Sequence, residues 1–502
     1  MNRLTCLLFL FIFIAPVTLQ AQTVTISDFD REDNRDMNFE IIGKLNNNFL
    51  VYKNIRSKHK INIFDKEMNT LETVRLDFIP DRTFNIDFVV YPDHFYMIYQ
   101  YQRGSLLHCM AVKMNAMAQK ISEPIEVDTT RIPVMSDNKI YSTIYSEDRQ
   151  KIMIFKIQTR FQKLSLKALL FDKNMKPINE NRYLIDYNDR KESYDNFVVA
   201  NDGTFLFTYA SQKGNRENSN TLGLIVKSPY KDTFAYQEIN LNEKYIDEVK
   251  LKIDNRNNRY VLNTFYYKKN RGSIEGLFTY IWDNANDKVF VSNFTELSDT
   301  LRVEAKKDGQ MRFAFDEFFI RQIIVKGDGG FIITAEDFSK DERSNNSFNR
   351  FDYLYNPYLL SSGNYYYNPY TGYYRPLNSY GNNRIRFYFD NIMILSVSKT
   401  GQLEWSRVIH KSQFEDNDEN FLSFSTMTSG SEIHFLFNND RKYQVVVDQG
   451  LSADGTLKRY PTLKSAQKGY EFMPALSKQV GASQIIIPCA YRNNICFAKV
   501  DF

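Results

Sequence analysis

Phe197-Val198-Val199-Ala200-Asn201-Asp202-Gly203-Thr204-Phe205-Leu206-Phe207 and Ile323-Ile324-Val325-Lys326-Gly327-Asp328-Gly329-Gly330-Phe331-Ile332-Ile333 line up position by position. Each is an apolar run, an Asp-Gly pair and a second apolar run. Asp-Gly between two such runs is a strong β-hairpin signal, because the tight turn needs a left-handed backbone that glycine adopts without steric cost. Related hairpins read at 41–52, 88–99, 140–155, 251–265, 424–437 and 472–487. A third strand closed by a polar turn accompanies them, most clearly at Phe64-Asp65-Lys66-Glu67-Met68 and Phe171-Asp172-Lys173-Asn174-Met175. The same turn recurs with drift at Val112-Lys113-Met114-Asn115, Trp282-Asp283-Asn284, Val397-Ser398-Lys399-Thr400-Gly401 and Val447-Asp448-Gln449-Gly450.

Eight units of hairpin, third strand, turn and fourth strand follow from this grammar. They are spaced by roughly 47 to 60 residues, with one interval about twice that length around residues 340–390. A small antiparallel sheet with two apolar faces cannot bury both alone, and stacking such sheets around an axis hides each against its neighbours. The expected fold is therefore all-β, a β-propeller of eight four-stranded blades, with seven blades or two β-sandwich domains as the competing arrangements. The 502 residues suffice for about 60 residues per blade. Composition agrees: 40 Phe and 33 Tyr bring aromatics to 15%, which suits pleated surfaces, and no long window shows helical periodicity.

The domain organisation expected is a signal peptide over residues 1–21 and a single propeller domain over 22–502. Met1-Asn2-Arg3 supplies a positive start, an apolar run follows from Leu4 to Val17, and Ala21 is the expected cut site. An uncleaved N-terminal anchor is the alternative. The run is short for a membrane span, and no later segment is long and apolar enough for one, so an exported chain in the periplasm, at the outer membrane or outside the cell is expected. At its far end the chain finishes on Phe497-Ala498-Lys499-Val500-Asp501-Phe502, the third strand of the last unit, while Thr23-Val24-Thr25-Ile26 is a spare strand before the first. The spare strand is expected to pair with the last one, removing an open edge.

Beyond residue 21 the cysteines are Cys109, Cys489 and Cys496. If the turn of the last hairpin is Arg492-Asn493, Cys489 and Cys496 face each other. If it is Asn493-Asn494, which suits a type I′ turn, they are out of register. The reading adopted is separate buried thiols, and no metal-ligand spacing is present.

The long interval in the sixth unit, about residues 340–389, is a tyrosine-rich insertion. It holds Tyr353, Tyr355, Tyr358, Tyr365, Tyr366, Tyr367, Tyr370, Tyr373, Tyr374 and Tyr380, with Asn-Pro-Tyr occurring at both 356–358 and 368–370. Proline and glycine there oppose regular strands, so a loop is expected. Tyrosine gives a large contact area with few rotatable bonds, and Arg350, Arg375, Arg384 and Arg386 add cations. Tyr355, Tyr358, Tyr365, Tyr366, Tyr367, Tyr370, Tyr373, Tyr374 and Arg375 are the candidate partner-binding residues. The plainer reading is that they pack the loop onto its own propeller.

In this repeat grammar the chain resembles exported bacterial β-propeller proteins of unassigned function. The resemblance spans the whole chain after residue 21 but rests on no catalytic motif, so it implies fold and a broad binding role only.

Catalytic signatures are scarce. No Gly-x-Ser-x-Gly elbow, phosphate loop, His-Glu-x-x-His or sialidase-type aspartate box occurs, and His59, His94, His108, His410 and His434 are scattered. Asp316 and Glu317, with Glu336 beyond the hairpin, would place carboxylates near a blade end, as a glycosidase needs, but acidic pairs near strand ends are common. Glu415-Asp416-Asn417-Asp418-Glu419 lacks EF-hand spacing and reads as a solvated loop. A net charge of +4 marks neither nucleic acid nor cations as partners. The expected function is a non-catalytic scaffold at the cell envelope, without metal or cofactor, that holds another protein. Its expected setting is as an accessory subunit of an outer-membrane transport complex. A carbohydrate-binding or glycan-hydrolysing propeller is the alternative.

Overall fold

A computed structural model of the chain describes residues 22–29, 32–33, 37–132, 140–188, 190–214, 217–305, 315–342, 385–439 and 442–502. The chain is nearly all-β, with eight blades arranged as an eight-bladed β-propeller. The blades span 38–75, 83–131, 141–186, 192–239, 245–296, 318–416, 424–464 and 470–501. Within each of the first five, antiparallel strands follow one another outward in chain order. First strands of neighbouring blades touch near the axis, as between blades 3 and 4, 4 and 5, and 5 and 6, whereas outermost strands such as Thr70–Arg75 and Pro177–Asp186 are largely exposed.

The core is a set of layers between blades. Leu50, Tyr52, Ile61 and Ile63 of blade 1 pack on Ile86, Phe88 and Met97 of blade 2. The next residues along the same strand, Phe49 and Val51, face the opposite way, onto Ile486, Ile495 and Phe497 of blade 8. Side chains alternate along a strand, so one strand serves two interfaces, which is why these strands read as continuous apolar runs. Equivalent apolar layers join blades 2 and 3, 3 and 4, 4 and 5, 5 and 6, 6 and 7, and 7 and 8. An open row of eight sheets would have seven such layers. The eighth, between blades 8 and 1, makes a closed ring.

Closure is completed by the spare strand. Thr23–Ile26 pairs antiparallel with the last strand, Asn494–Asp501, as the outermost strand of blade 8. Ser27 extends the seam: its N–H donates to the Phe497 carbonyl (2.9 Å) and its Oγ accepts from Phe497 N–H (3.0 Å). Asp33 then enters the interior, where it meets Lys53 at 2.5 Å and Lys60 at 3.0 Å, with Lys53 and Asp33 fully buried.

The repeated turns have one mechanism. Asp65, Asn115, Asp172 and Ser398 each accept, through a side-chain oxygen, from the backbone N–H two and four residues ahead. The residue three places on, Met68, Ala118, Met175 or Gly401, takes a positive φ. This is the side-chain competition with backbone that places Asp, Asn and Ser at turns. One expected copy is wrong: 447–450 is not a turn but lies inside the strand Val445–Leu451. The turn sits at 452–455, where Asp454 Oδ1 accepts from Thr456 N–H and Gly455 has φ +84°. Asp448 is instead buried against His434 Nδ1 at 2.9 Å.

The last hairpin turns at Arg492-Asn493, with Tyr491 opposite Asn494 and a φ of 57° at Arg492. Of the two possible registers this is the one that sets Cys489 against Cys496. Both thiols are buried, as is Cys109.

Candidate interaction face

In a blade of four antiparallel strands, the connections from first to second and third to fourth strand lie on one face of the ring. Those from second to third, and from blade to blade, lie on the other. The first face carries mostly short turns, such as Asn46-Asn47, 200–204 and 326–330, with 116–124 the longest of its connections between third and fourth strands. The second carries the long connections, including 212–220, 268–275, 297–317 and the insertion at 343–384. Several are tied together. Asn218 N–H donates to Asn270 Oδ1 (3.1 Å) and Arg271 N–H returns to Asn218 Oδ1 (2.7 Å). Asp316 accepts from Ile274 N–H (3.2 Å), and Arg302 of the short helix Asp299–Glu304 donates to the carbonyls of Ile274 (2.8 Å) and Glu275 (2.6 Å).

Blade 6 departs most from its neighbours, and it does so on this face. Its second and third strands, Phe331–Glu342 and Ile385–Val397, run for 12 and 13 residues and stay paired out to Glu342 opposite Ile385. A fifth strand, Gln413–Asp416, lies against Arg386–Phe389. Arg386 grips Asp416 with two hydrogen bonds, Nε to Oδ1 at 2.6 Å and Nη2 to Oδ2 at 3.0 Å, the paired geometry a guanidinium offers a carboxylate. Asn417 closes the end, donating from N–H to the Ile385 carbonyl (2.7 Å) and accepting from Ile385 N–H (2.9 Å). The result is a reinforced stalk leading to residues 343–384.

Along the stalk lie Phe319, Phe338, Ile385, Phe387, Phe389 and Leu422. Beneath them is a buried charge cluster. Glu336, fully buried, receives Arg321 Nε at 3.0 Å and Ser423 Oγ at 2.6 Å, and forms an ion pair with Lys411 Nζ at 2.8 Å. Lys411, also fully buried, donates to the Phe389 carbonyl and to Gln413 Oε1, each at 2.9 Å. Burial pulls the Lys411 ammonium below the ordinary lysine range, and Glu336 opposes that pull. Bulges in the strands set this up: one in Phe318–Val325, between Ile320 and Gln322, displaces Arg321, and one in the second strand lies beside Glu336.

A polar belt continues around the axis from this cluster. Glu248 meets Lys250 at 2.8 Å and accepts from Ile320 N–H at 3.0 Å. Thr426 Oγ1 donates to Gln322 Oε1 (2.7 Å), and Lys478 Nζ to the Ile41 carbonyl (2.9 Å). These contacts link the inner strands of neighbouring blades. The Glu248–Lys250 pair lies within one strand, so it is the hydrogen bonds to backbone and amide groups that join neighbouring blades.

No family model matches the sequence, and comparison with curated proteins finds no match. Among solved structures, a prolyl endopeptidase aligns with a TM-score of 0.42 at 8% identity, covering 92% of this chain and 56% of its own. Prolyl oligopeptidase B from Galerina marginata gives 0.41 at 9%, with the same coverage. A structure described as the eukaryotic initiation factor gives 0.38 at 9%, covering 94% of this chain and 90% of its own. The chain thus spans 56% of the length of the two peptidases it matches. Likeness at this level says nothing of activity.

The sequence-derived candidates distribute unevenly. Tyr355, Tyr358, Tyr365, Tyr366, Tyr367, Tyr370, Tyr373, Tyr374 and Arg375 lie outside the described residues. Of the acids grouped as a glycosidase pair, Asp316 ties blade 6 to blade 5 and Glu336 is enclosed by Arg321, Lys411 and Ser423. The run 415–419, expected as a solvated loop, is in part the fifth strand of blade 6. Glu415 accepts a hydrogen bond from Tyr443, and Asp418 Oδ1 accepts from Asn420 N–H at 2.9 Å. Among the described residues no group of three or more His, Cys, Asp or Glu is placed to hold a metal. His59 and His434 are buried in strands, and His108 stacks on Tyr101. Arg321, Lys411 and Ser423 escaped the sequence reading, since nothing local marks residues so far apart as neighbours.

Proposed function

We propose that this chain is an exported, non-catalytic interaction scaffold of the cell envelope, holding a protein partner on the face of the ring that carries the long connections. The observation that supports it is the blade 6 stalk. Two lengthened strands, a fifth strand and the Arg386 to Asp416 pair form a stiff support for a segment with ten tyrosines. Ordering costs of binding fall when the base of a contact segment is already fixed. Tyr355, Tyr358, Tyr365, Tyr366, Tyr367, Tyr370, Tyr373, Tyr374 and Arg375 are assigned to the contact, and an accessory subunit of an outer-membrane transport complex is the setting proposed.

The test replaces residues 345–384 with a short Gly-Ser linker and compares the proteins retained by variant and parent from solubilised envelope, alongside a glycan array. A protein retained by the parent and lost from the variant, and from a Tyr365→Ser, Tyr366→Ser, Tyr367→Ser triple variant, is the expected outcome. Equal retention by all three sinks the reading. Glycan binding lost with the insertion would replace it with a carbohydrate-binding propeller.

A further inference from the structure

Cys489 and Cys496 lie directly opposite one another on the last hairpin, Gln484–Tyr491 and Asn494–Asp501, with their sulfurs 3.1 Å apart. Neither is exposed, and both belong to the apolar layer between blades 7 and 8, with Ile485, Ile487 and Val500. Directly opposed residues of an antiparallel pair have Cα atoms about 4.5 or 5.5 Å apart, and a disulfide accepts either spacing. The sulfurs need close by only about 1 Å to reach a bond length near 2.0 Å. Cys109 packs in the layer between blades 2 and 3, remote from this pair in the ring.

We propose that Cys489 and Cys496 are a disulfide-forming pair that staples the hairpin on which the ring closes. Asn494–Asp501 is the strand that receives Thr23–Ile26, and Ser27 and Asp33 bond to Phe497 and Ile495 beside Cys496. A covalent link from Cys496 to the neighbouring strand therefore holds the acceptor side of the seam in place whether or not the first strand has docked.

The chemistry balances through thiol–disulfide exchange. One cysteine thiolate attacks a disulfide oxidant, releasing one oxidant sulfur as a thiolate and leaving a mixed disulfide. The second cysteine thiolate attacks the protein sulfur and releases the other oxidant sulfur. Two protein thiols thus lose two electrons and two protons, and the oxidant is reduced to two thiols. Burial raises the Cys489 thiol well above its ordinary range, so exchange belongs to the stage of folding before blades 7 and 8 cover the hairpin.

The test refolds the full chain from denaturant in a buffer of reduced and oxidised glutathione, quenches with acid, blocks free thiols with a maleimide and maps the peptides by mass. A linked pair of Cys489 and Cys496, two hydrogens lighter than the dithiol, with Cys6 and Cys109 labelled, is expected. Native-state hydrogen exchange over residues 485–490 should slow by roughly 50-fold in the oxidised chain relative to the reduced one, from the smaller entropy of the opened hairpin. Full labelling of Cys489 and Cys496, or a link from either to Cys6 or Cys109, overturns the pairing. A linked chain whose exchange matches the reduced chain overturns the staple.

Discussion

Thr25 faces Lys499 across the outermost ladder of blade 8, so a residue near the start of the described chain is a strand neighbour of one near its end. Contacts so distant in sequence carry a large loop-closure cost, which other contacts at the seam must offset.

Ser27 is one such contact. It is 4% exposed and satisfies both backbone groups of Phe497 that face it. Ser27→Ala leaves the Phe497 N–H buried without that acceptor and should cost about 1–3 kcal/mol in a denaturant titration. Removing residues 22–27 should also make the chain aggregate on concentration, because the edge of Asn494–Asp501 is then open. A truncated chain that stays monomeric with parental stability would show that the first strand is dispensable.

Asp33 should be among the most sensitive positions. Burial alone would raise its carboxyl, but the Lys53 and Lys60 ammoniums outweigh burial and hold it below the usual carboxylate range. Asp33→Ala removes the buried carboxylate that Lys53 and Lys60 share and should cost about 3–5 kcal/mol, whereas adding Lys53→Met should recover much of that loss. The sign with pH follows: a lowered carboxyl stabilises above its unfolded value of 3.8, and that stabilisation disappears as pH falls below it. Equal stability of the single and double variants would count against the buried pair.

The same logic applies to Glu336, with an added consequence for the stalk. Glu336→Gln leaves Lys411 and Arg321 without their shared anion and should cost about 3–5 kcal/mol. Because Lys411 also holds the Phe389 carbonyl, limited proteolysis should cut between Glu342 and Ile385 faster in the variant than in the parent. An unchanged digestion pattern would detach the cluster from the stalk.

His59 sets a separate pH dependence. It is 7% exposed, bonded through Nδ1 to the Tyr52 hydroxyl at 2.6 Å, and burial lowers its pKa from 6.5 to about 4. Between those values the unfolded chain takes up a proton that the folded chain refuses. Stability should therefore fall as pH drops from 6.5 towards 4, by on the order of 3 kcal/mol from this residue. Denaturation midpoints across that window should flatten in His59→Gln, and a parallel slope in both proteins would assign the effect elsewhere.

Gly276 is demanded by packing. A Cβ there would stand 2.1 Å from the Thr295 carbonyl oxygen on the next strand and 2.6 Å from the Tyr266 ring. Gly276→Ala should lower the melting temperature severely. Gly104, at φ +60° in open space, should lose only about 1 kcal/mol on the same change. Similar losses at both sites would contradict the strand spacing described.

The turns, and through them the number of blades, were readable because their causes are local. Asp202-Gly203 and Asp328-Gly329 carry a left-handed residue that glycine suits, and Asp65 and Asp172 cap turns within four residues of themselves. The same Asp-Gly signal stands at Asp454-Gly455. Asp448 resembles a turn residue only locally, because its burial beside His434 is decided by the sheet. The candidate tyrosines were legible as a composition, while the stalk beneath them was not, since Arg386 and Asp416 meet only across a strand pair.

By itself the sequence determined the repeat, the strand alternation and the pairing of the spare strand, because these follow from side-chain period and turn chemistry. Tertiary structure alone decided the facing of Cys489 and Cys496, the buried meeting of Arg321, Glu336, Lys411 and Ser423, and the anchoring of Asp33 on Lys53. The physical reason is that an ion pair in a low-dielectric interior depends on distances between strands, and those are set by how eight sheets pack together rather than by the order of residues along any one of them.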